Sequence, residues 1–188
     1  MSPPPASRIV PIAVLDSSVL VSVWSRIALQ NVAAEPEAPF VPAWSEWIIA
    51  ERWRVLTQKW IVRHGRANVP DVGRLEQAAN DMLRYLIPVM KLVSLRDFTC
   101  PAPWPELTDL NDAPIWQTAV VAGAQYVVSQ NIHDFPPLVG GRHLYGGIEY
   151  VTPVEFMEDV LGLSAVAVHG GPLPAGALLR SRRTDATL

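Results

Sequence analysis

Short apolar segments alternate along this chain with longer segments of helical periodicity, and this alternation limits the possible folds more than any other feature. The apolar runs predict buried strands. These are residues 12–15, 92–95, 126–129 and 148–151. The predicted helices are residues 19–32, 44–63, 71–88, 114–122 and 153–161. Because alternating strands and helices form βαβ crossovers, we expect a three-layer α/β/α fold with a central, mainly parallel sheet.

The domain organisation follows from length and local composition. A chain of 188 residues, 49% of them hydrophobic, is long enough to bury the core of one domain. We assign that domain to residues 9–163. Residues 1–8 include three consecutive prolines and predict a disordered lead-in, whereas residues 164–188 are small and rich in Gly and Pro, which predicts a flexible tail.

The composition also excludes several classes of protein. Cys100 is the single cysteine, so an internal disulfide framework and a cysteine-based zinc site are excluded. Polar residues, glycine or proline interrupt each apolar run that is long enough to span a membrane, and we expect a cytoplasmic protein without membrane contact. The net charge of −3 gives no overall basic field. Glycine-rich phosphate-binding motifs and the zinc-protease helix motif are absent from the sequence.

Acidic side chains stand at strand ends and on an apolar helical face. Asp16 directly follows the first predicted strand, where it either caps the next helix or faces a ligand. Glu51 lies near the centre of the apolar stripe formed by positions 44, 48 and 55. If Glu51 is buried, its carboxylate requires a salt bridge or a cation; alternatively, it lies at an edge of this stripe that solvent reaches. Asp112 opens the helix predicted at 114–122, and the spacing orients it toward the packed side.

Further polar side chains follow the strand predicted at 126–129. Asn131 and Asp134 form either a turn or part of a site. Because functional groups of parallel sheets gather beyond the carboxyl ends of the strands, we expect all these acids to converge. Converging carboxylates repel one another, and a hard cation such as Mg²⁺ or Mn²⁺ relieves that repulsion. Such a site can activate water for hydrolysis of a phosphodiester.

Three segments carry a family resemblance. They are the run Val-Leu-Asp-Ser-Ser-Val-Leu-Val at 14–21, the helix around Glu51, and residues 109–136. The last segment combines an acidic helix start, a Gly-Ala turn, an apolar strand and Asn-x-x-Asp-Phe-Pro. Together they resemble the PIN-domain family of metal-dependent ribonucleases, which includes VapC-type toxins of toxin–antitoxin modules. Ser18 and Ser129 stand where that family often has Asn and Thr.

The resemblance implies an endoribonuclease that hydrolyses RNA with Mg²⁺ or Mn²⁺. It implies that Asp16, Glu51 and Asp112 are catalytic metal ligands, with either Asn131 or Asp134 as the fourth site residue. A small antitoxin protein is the partner that it implies. The alternative is a non-catalytic PIN-like binding module that acts through a protein or RNA partner.

The helix predicted at 44–63 also carries a local excess of basic residues. We predict RNA contacts for Arg52, Lys59 and Arg63, although a solvated helix face would have the same composition. Trp44 and Trp47 are predicted in the core. Trp53 lies opposite the Glu51 stripe, where it suits a protein interface, and we expect a homodimer.

Overall fold

The chain folds around a seven-stranded mixed sheet. The computed structural model describes residues 10–64, 74, 77, 87–96, 98–99 and 112–164. The predicted lead-in, the tail beyond residue 164 and most of the helix predicted at 71–88 lie outside these described residues.

The strands form a sheet in the order β3-β2-β1-β4-β7-β6-β5. Strands β3, β2, β1, β4 and β7 are mutually parallel, and β6 and β5 add an antiparallel edge. The predicted α/β fold with a mainly parallel sheet is therefore confirmed. The strand bounds are β1 Ile12–Leu15, β2 Val41–Ser45, β3 Lys91–Val93, β4 Tyr126–Val128, β5 Leu138–Val139, β6 Arg142–Tyr145 and β7 Ile148–Val151.

The helices fill the connections between these strands. Their bounds are α1 Ser17–Val21, α2 Val23–Ala33, α3 Glu46–His64, α4 Ala113–Ala122 and α5 Pro153–Glu155, which continues as a π-helical turn at Phe156–Val160. The single helix predicted at 19–32 is wrong, because extended backbone at Ser22 separates α1 from α2. The break falls among Val19, Val21 and Val23, whose branched side chains disfavour a helix. Among the described residues, no helix combines the length and apolar character needed to cross a membrane.

Strand β2 is absent from the predicted elements, and its last two residues, Trp44 and Ser45, were predicted as the start of a helix; this is the main correction to the element assignment. Trp44 lies in this strand, and the helix begins only at Glu46. The strand is paired on both sides and buried along most of its length. A strand buried on both faces shows no alternation of polar and apolar residues, so its pattern does not distinguish it from the start of a helix.

Helical segments cover both faces of the sheet. On one face, Thr118 of α4 donates a hydrogen bond from its Oγ1 to Ser45 Oγ at the end of β2, with a distance of 2.8 Å. On the opposite face, the ring of Phe156 packs edge-on against Phe40 and Tyr126, with centroids 5.0 and 5.6 Å away. The core therefore lies on both sides of the parallel strands.

The strand order contains a topological switch point between β1 and β4. From β1 the chain proceeds to β2 and β3 on one side, and then returns to place β4 and β7 on the other side. In open parallel sheets the carboxyl ends of the two strands at such a point border a crevice where ligands bind. We therefore expect functional side chains among the residues that follow β1 and β4.

Candidate metal centre

The carboxylate of Asp16 lies at the carboxyl end of β1, beside the switch point. The residue is only 5% exposed. Its Oδ2 accepts hydrogen bonds from Ser18 Oγ (2.6 Å) and Ser129 Oγ (2.8 Å), and its Oδ1 accepts one from Ser17 Oγ (3.2 Å). Asp16 occupies the N-cap position of α1, but its side chain makes no capping hydrogen bond. Serine hydroxyls therefore hold this carboxylate in place of the helix.

Ser18 and Ser129 also connect Asp16 to the loop after β4. The hydroxyl of Ser18 accepts a hydrogen bond from the backbone N–H of Gln130 at 3.0 Å. That of Ser129 accepts one from the N–H of Asn131 at 3.1 Å. Each serine thus donates to the carboxylate and accepts from the loop. Both serines supply a hydroxyl to Asp16.

Glu51 faces inward from α3, as its position on the apolar stripe predicts. Ile48, one turn earlier, is fully buried, and the side chain of Glu51 is 14% exposed. The Oε1 atom accepts a hydrogen bond from Arg54 Nη2 at 3.4 Å, whereas Oε2 is buried and has no hydrogen-bond partner among the described residues. Because Arg54 is 59% exposed and reaches only one oxygen, this ion pair leaves the buried oxygen without compensation.

The electrostatics of Glu51 connect it to Asp16. Burial raises the pKa of the Glu51 carboxyl, and the negative charge of Asp16 raises it further. The nearby Ser17 hydroxyl and the charge of Arg54 act in the opposite direction and lower this pKa. The protein therefore favours a neutral or neutralised carboxyl at this position, and either a proton or a cation meets that need.

Asp112 occupies the N-cap position of α4, and its side chain makes no capping hydrogen bond there. Burial raises the pKa of the Tyr150 hydroxyl in β7, and the negative charge of Asp112 and then that of Asp16 raise it further. Two carboxylates from different elements thus act on one buried phenol. Tyr150 was not identified from the sequence, where it is one aromatic residue within a short strand.

Asn131 and Asp134 form a turn after β4. The Nδ2 of Asn131 donates a hydrogen bond to Asp134 Oδ2 across the short 3-10 helix Ile132–Asp134. Asn131 is exposed and Asp134 is half-buried. This geometry accounts for both side chains as turn residues, and the choice between them as a fourth site residue stays open.

Within the described ranges, the acidic residues do not form a closed ligand cage. Among the described residues, no group of three or more His, Cys, Asp or Glu side chains lies close enough together to hold a metal ion. Mg²⁺ commonly uses only one or two carboxylates and keeps several water molecules. Asp16 and Glu51 are the pair whose electrostatic interaction is direct.

Arg52 requires a correction, because it was predicted to contact RNA. The residue is 4% exposed, and its Nε donates a hydrogen bond to the Leu20 carbonyl at the end of α1, at 3.1 Å. Burial and the charge of Arg26 lower the pKa of Arg52 to about 9. Position 52 follows Ile48 by one helical turn and so shares its inward face. Arg52 therefore belongs to the interior.

The other aromatic and basic predictions on this helix have mixed outcomes. Trp44 is 1% exposed and Trp47 packs against the core, so their assignment to the core is confirmed. Trp53 is 38% exposed. The side chains of Lys59 and Arg63 lie outside the described part of the structure.

Comparison with known proteins adds no relative to this picture: a scan against protein-family models finds no match, and a search of curated proteins finds no significant similarity.

Proposed function

We propose that this chain is a Mg²⁺- or Mn²⁺-dependent endoribonuclease of the PIN-domain type, and that it acts as the toxin of a toxin–antitoxin module. The observation that supports the proposal is the buried, unpartnered Oε2 of Glu51 beside Asp16. Both carboxylates stand near the carboxyl ends of parallel strands, where ligands of such sheets bind.

The donors present suit a hard cation. Asp16, Glu51 and Asp112 supply only oxygen atoms, which Mg²⁺ and Mn²⁺ prefer. An orphaned buried carboxylate oxygen is costly, and coordination of a cation removes that cost. When bound there, the cation supplies an activated water molecule and stabilises charge on the phosphodiester.

The side chains around this position have separate tasks in the proposed reaction. The hydroxyls of Ser17, Ser18 and Ser129 orient Asp16, so that its carboxylate cannot rotate away from the crevice. Glu51 presents Oε2 from α3, and Asp112 stands at the N-cap position of α4. In this proposal three elements contribute to the site, and such preorganisation favours hydrolysis.

The experiment is cleavage of a fluorescently labelled single-stranded RNA by chelator-treated protein, with and without Mg²⁺ or Mn²⁺. We expect cleavage only with the cation, and a loss of at least about 100-fold in the variants Asp16→Asn, Glu51→Gln and Asp112→Asn, as expected when transition-state electrostatic stabilisation is removed. The control is Glu149→Gln, since Glu149 is paired with Arg142 at the antiparallel edge. Its cleavage rate should stay within about twofold of the unmodified protein. Absence of cleavage, or cleavage by the Asp16 variant, would contradict the proposal.

One observation favours the non-catalytic binding module as a second candidate. In the described part of the chain, the acidic side chains are not gathered into a metal-binding group. The same assay separates the two, because a binding module retains RNA or a protein partner without cleaving RNA.

Separate experiments test the two proposed protein partners, an antitoxin and a second copy of this chain. A toxin implies a small antitoxin, which the adjacent gene should encode and which should suppress cleavage when added. A homodimer is part of the same proposal, and light scattering of the purified protein measures it.

A further inference from the structure

Tyr150 carries a buried hydroxyl that makes no hydrogen bond to the described residues. The residue as a whole is 6% exposed. A polar atom buried in this way destabilises the folded chain, so its presence calls for an explanation such as a ligand or a functional role.

The strand register places Tyr150 on the same face of the sheet as the candidate metal centre. Tyr150 is opposite Val127, and Val127 is opposite Val14. Side chains two residues apart in a strand share a face, so Asp16 and Ser129 follow Val14 and Val127 on this same face. Helix α4, which Asp112 precedes, covers it. The charges of Asp112 and Asp16 both act on the Tyr150 hydroxyl.

The ring of Tyr150 is held in position by aromatic packing. Phe135 lies 5.8 Å from it, centroid to centroid, with the rings inclined at 66°. Phe135 is packed in turn against His143 at 5.2 Å. A phenol fixed in this way presents its O–H in one direction without a further loss of rotational freedom on binding a ligand.

We propose that Tyr150 is a substrate-binding residue whose O–H donates a hydrogen bond to a non-bridging oxygen of the scissile RNA phosphate. This inference rests on the proposed ribonuclease function. Burial and the two nearby carboxylates raise the pKa of the phenol, so it remains a neutral donor at physiological pH. A phosphate oxygen is an anionic acceptor, and donors to such acceptors make the stronger hydrogen bonds.

The test compares Tyr150→Phe with Tyr126→Phe. Tyr126 is in the adjacent strand but one register position away, on the opposite face, where its ring packs against Phe156. We expect Tyr150→Phe to lower kcat/KM for single-stranded RNA by about 10- to 100-fold, which corresponds to about 1.4–2.7 kcal/mol. Its melting temperature should be unchanged or higher, because an unsatisfied polar atom has been removed. Tyr126→Phe should change kcat/KM by less than about twofold.

A second measurement identifies the phosphate as the acceptor. RNA with one non-bridging oxygen of the scissile phosphate replaced by sulfur forms a weaker hydrogen bond at that position. One of the two diastereomers should therefore be cleaved more slowly by the unmodified protein, and Tyr150→Phe should reduce that difference. An equal sulfur effect in both proteins would overturn the assignment of the acceptor.

The outcomes separate this inference from the function on which it rests. If the unmodified protein cleaves RNA, Asp16→Asn does not, and Tyr150→Phe is fully active, the Tyr150 inference is overturned while the ribonuclease function stands. A fall in the melting temperature of Tyr150→Phe would assign the hydroxyl a structural role and overturn the inference as well. If the unmodified protein fails to cleave RNA with either cation, both proposals fail.

Discussion

Replacement of Glu51 by glutamine should stabilise the protein in the absence of divalent cations. The carboxylate has one buried oxygen without a partner among the described residues, and an unsatisfied buried polar group costs about 1–3 kcal/mol, with a larger cost when it is charged. The substitution also removes the ion pair with Arg54, which is 59% exposed and so contributes no more than about 0.2–1 kcal/mol. We therefore expect a net gain of about 1 kcal/mol, or about 2–4 °C in melting temperature for a domain of this size.

The effect should depend on pH in a defined direction. Burial and Asp16 raise the pKa of Glu51 above its ordinary value of 4.5, so the folded protein binds this proton more tightly than the unfolded chain does. The contribution of this group to stability is then lost as the pH rises through the folded-state pKa. The advantage of Glu51→Gln should accordingly be largest at neutral pH and should disappear below about pH 4.5.

Urea denaturation followed by circular dichroism measures these differences, with EDTA and then with Mg²⁺. Saturating Mg²⁺ at 100 times its dissociation constant should stabilise the unmodified protein by about 2.7 kcal/mol and the variant by much less. The control is Glu46→Gln. Glu46 is exposed and accepts hydrogen bonds from Ser94 Oγ and the Leu95 N–H, so this variant should lose stability while keeping its Mg²⁺ response. A Glu51→Gln variant that is less stable in EDTA, or that responds fully to Mg²⁺, would refute the reasoning.

Two further substitutions test the local structure around the site. Ser129→Ala removes one donor to Asp16 and should cost about 1.5–3 kcal/mol in urea denaturation, whereas Ser22→Ala, which removes only a bond to Ser25, should cost less than about 1 kcal/mol. Gly123→Ala should cost about 1–2 kcal/mol by the same measurement, because Gly123 ends α4 with a φ of +67°, which L side chains disfavour. The added Cβ would meet no atom within 4 Å, so a steric clash does not contribute to this cost. Gly123→Asn should restore part of that loss, since asparagine tolerates this conformation; equal losses would point to a cause other than the backbone.

The sequence predicted the parts of the site that depend on local periodicity. Asp16 was placed correctly because a parallel strand buried on both faces is a continuous apolar run, and the residue after it stands at the carboxyl edge. Glu51 was placed on the inward face by the helical repeat, although Trp44, which helped to define that repeat, belongs to β2. Both inferences need only residues that are close together in the chain.

The parts that were missed depend on distant segments. Tyr150 acquires its place from the register of β7 against β4 and from Asp112 in another element, and neither is visible in a local pattern. Arg52 was assigned to the surface because of its charge. Its burial depends on the Leu20 carbonyl at the end of α1, which provides an acceptor in the interior.

The hydrogen bond between Ser129 and Asp16 joins residues 113 positions apart, and this separation bears on when the site forms during synthesis. Contacts between distant segments form late in folding, because a long loop must close before they contribute any stability. A ribosome that has translated β1, β2 and α3 has produced Asp16 and Glu51, but not β4 or Ser129, which follows it. In the nascent chain, Asp16 therefore lacks the donor from Ser129 until β4 has emerged and paired with β1, and Asp112 is also still missing from the proposed site. Under the proposed function, the growing protein would not cut the messenger from which it is being made.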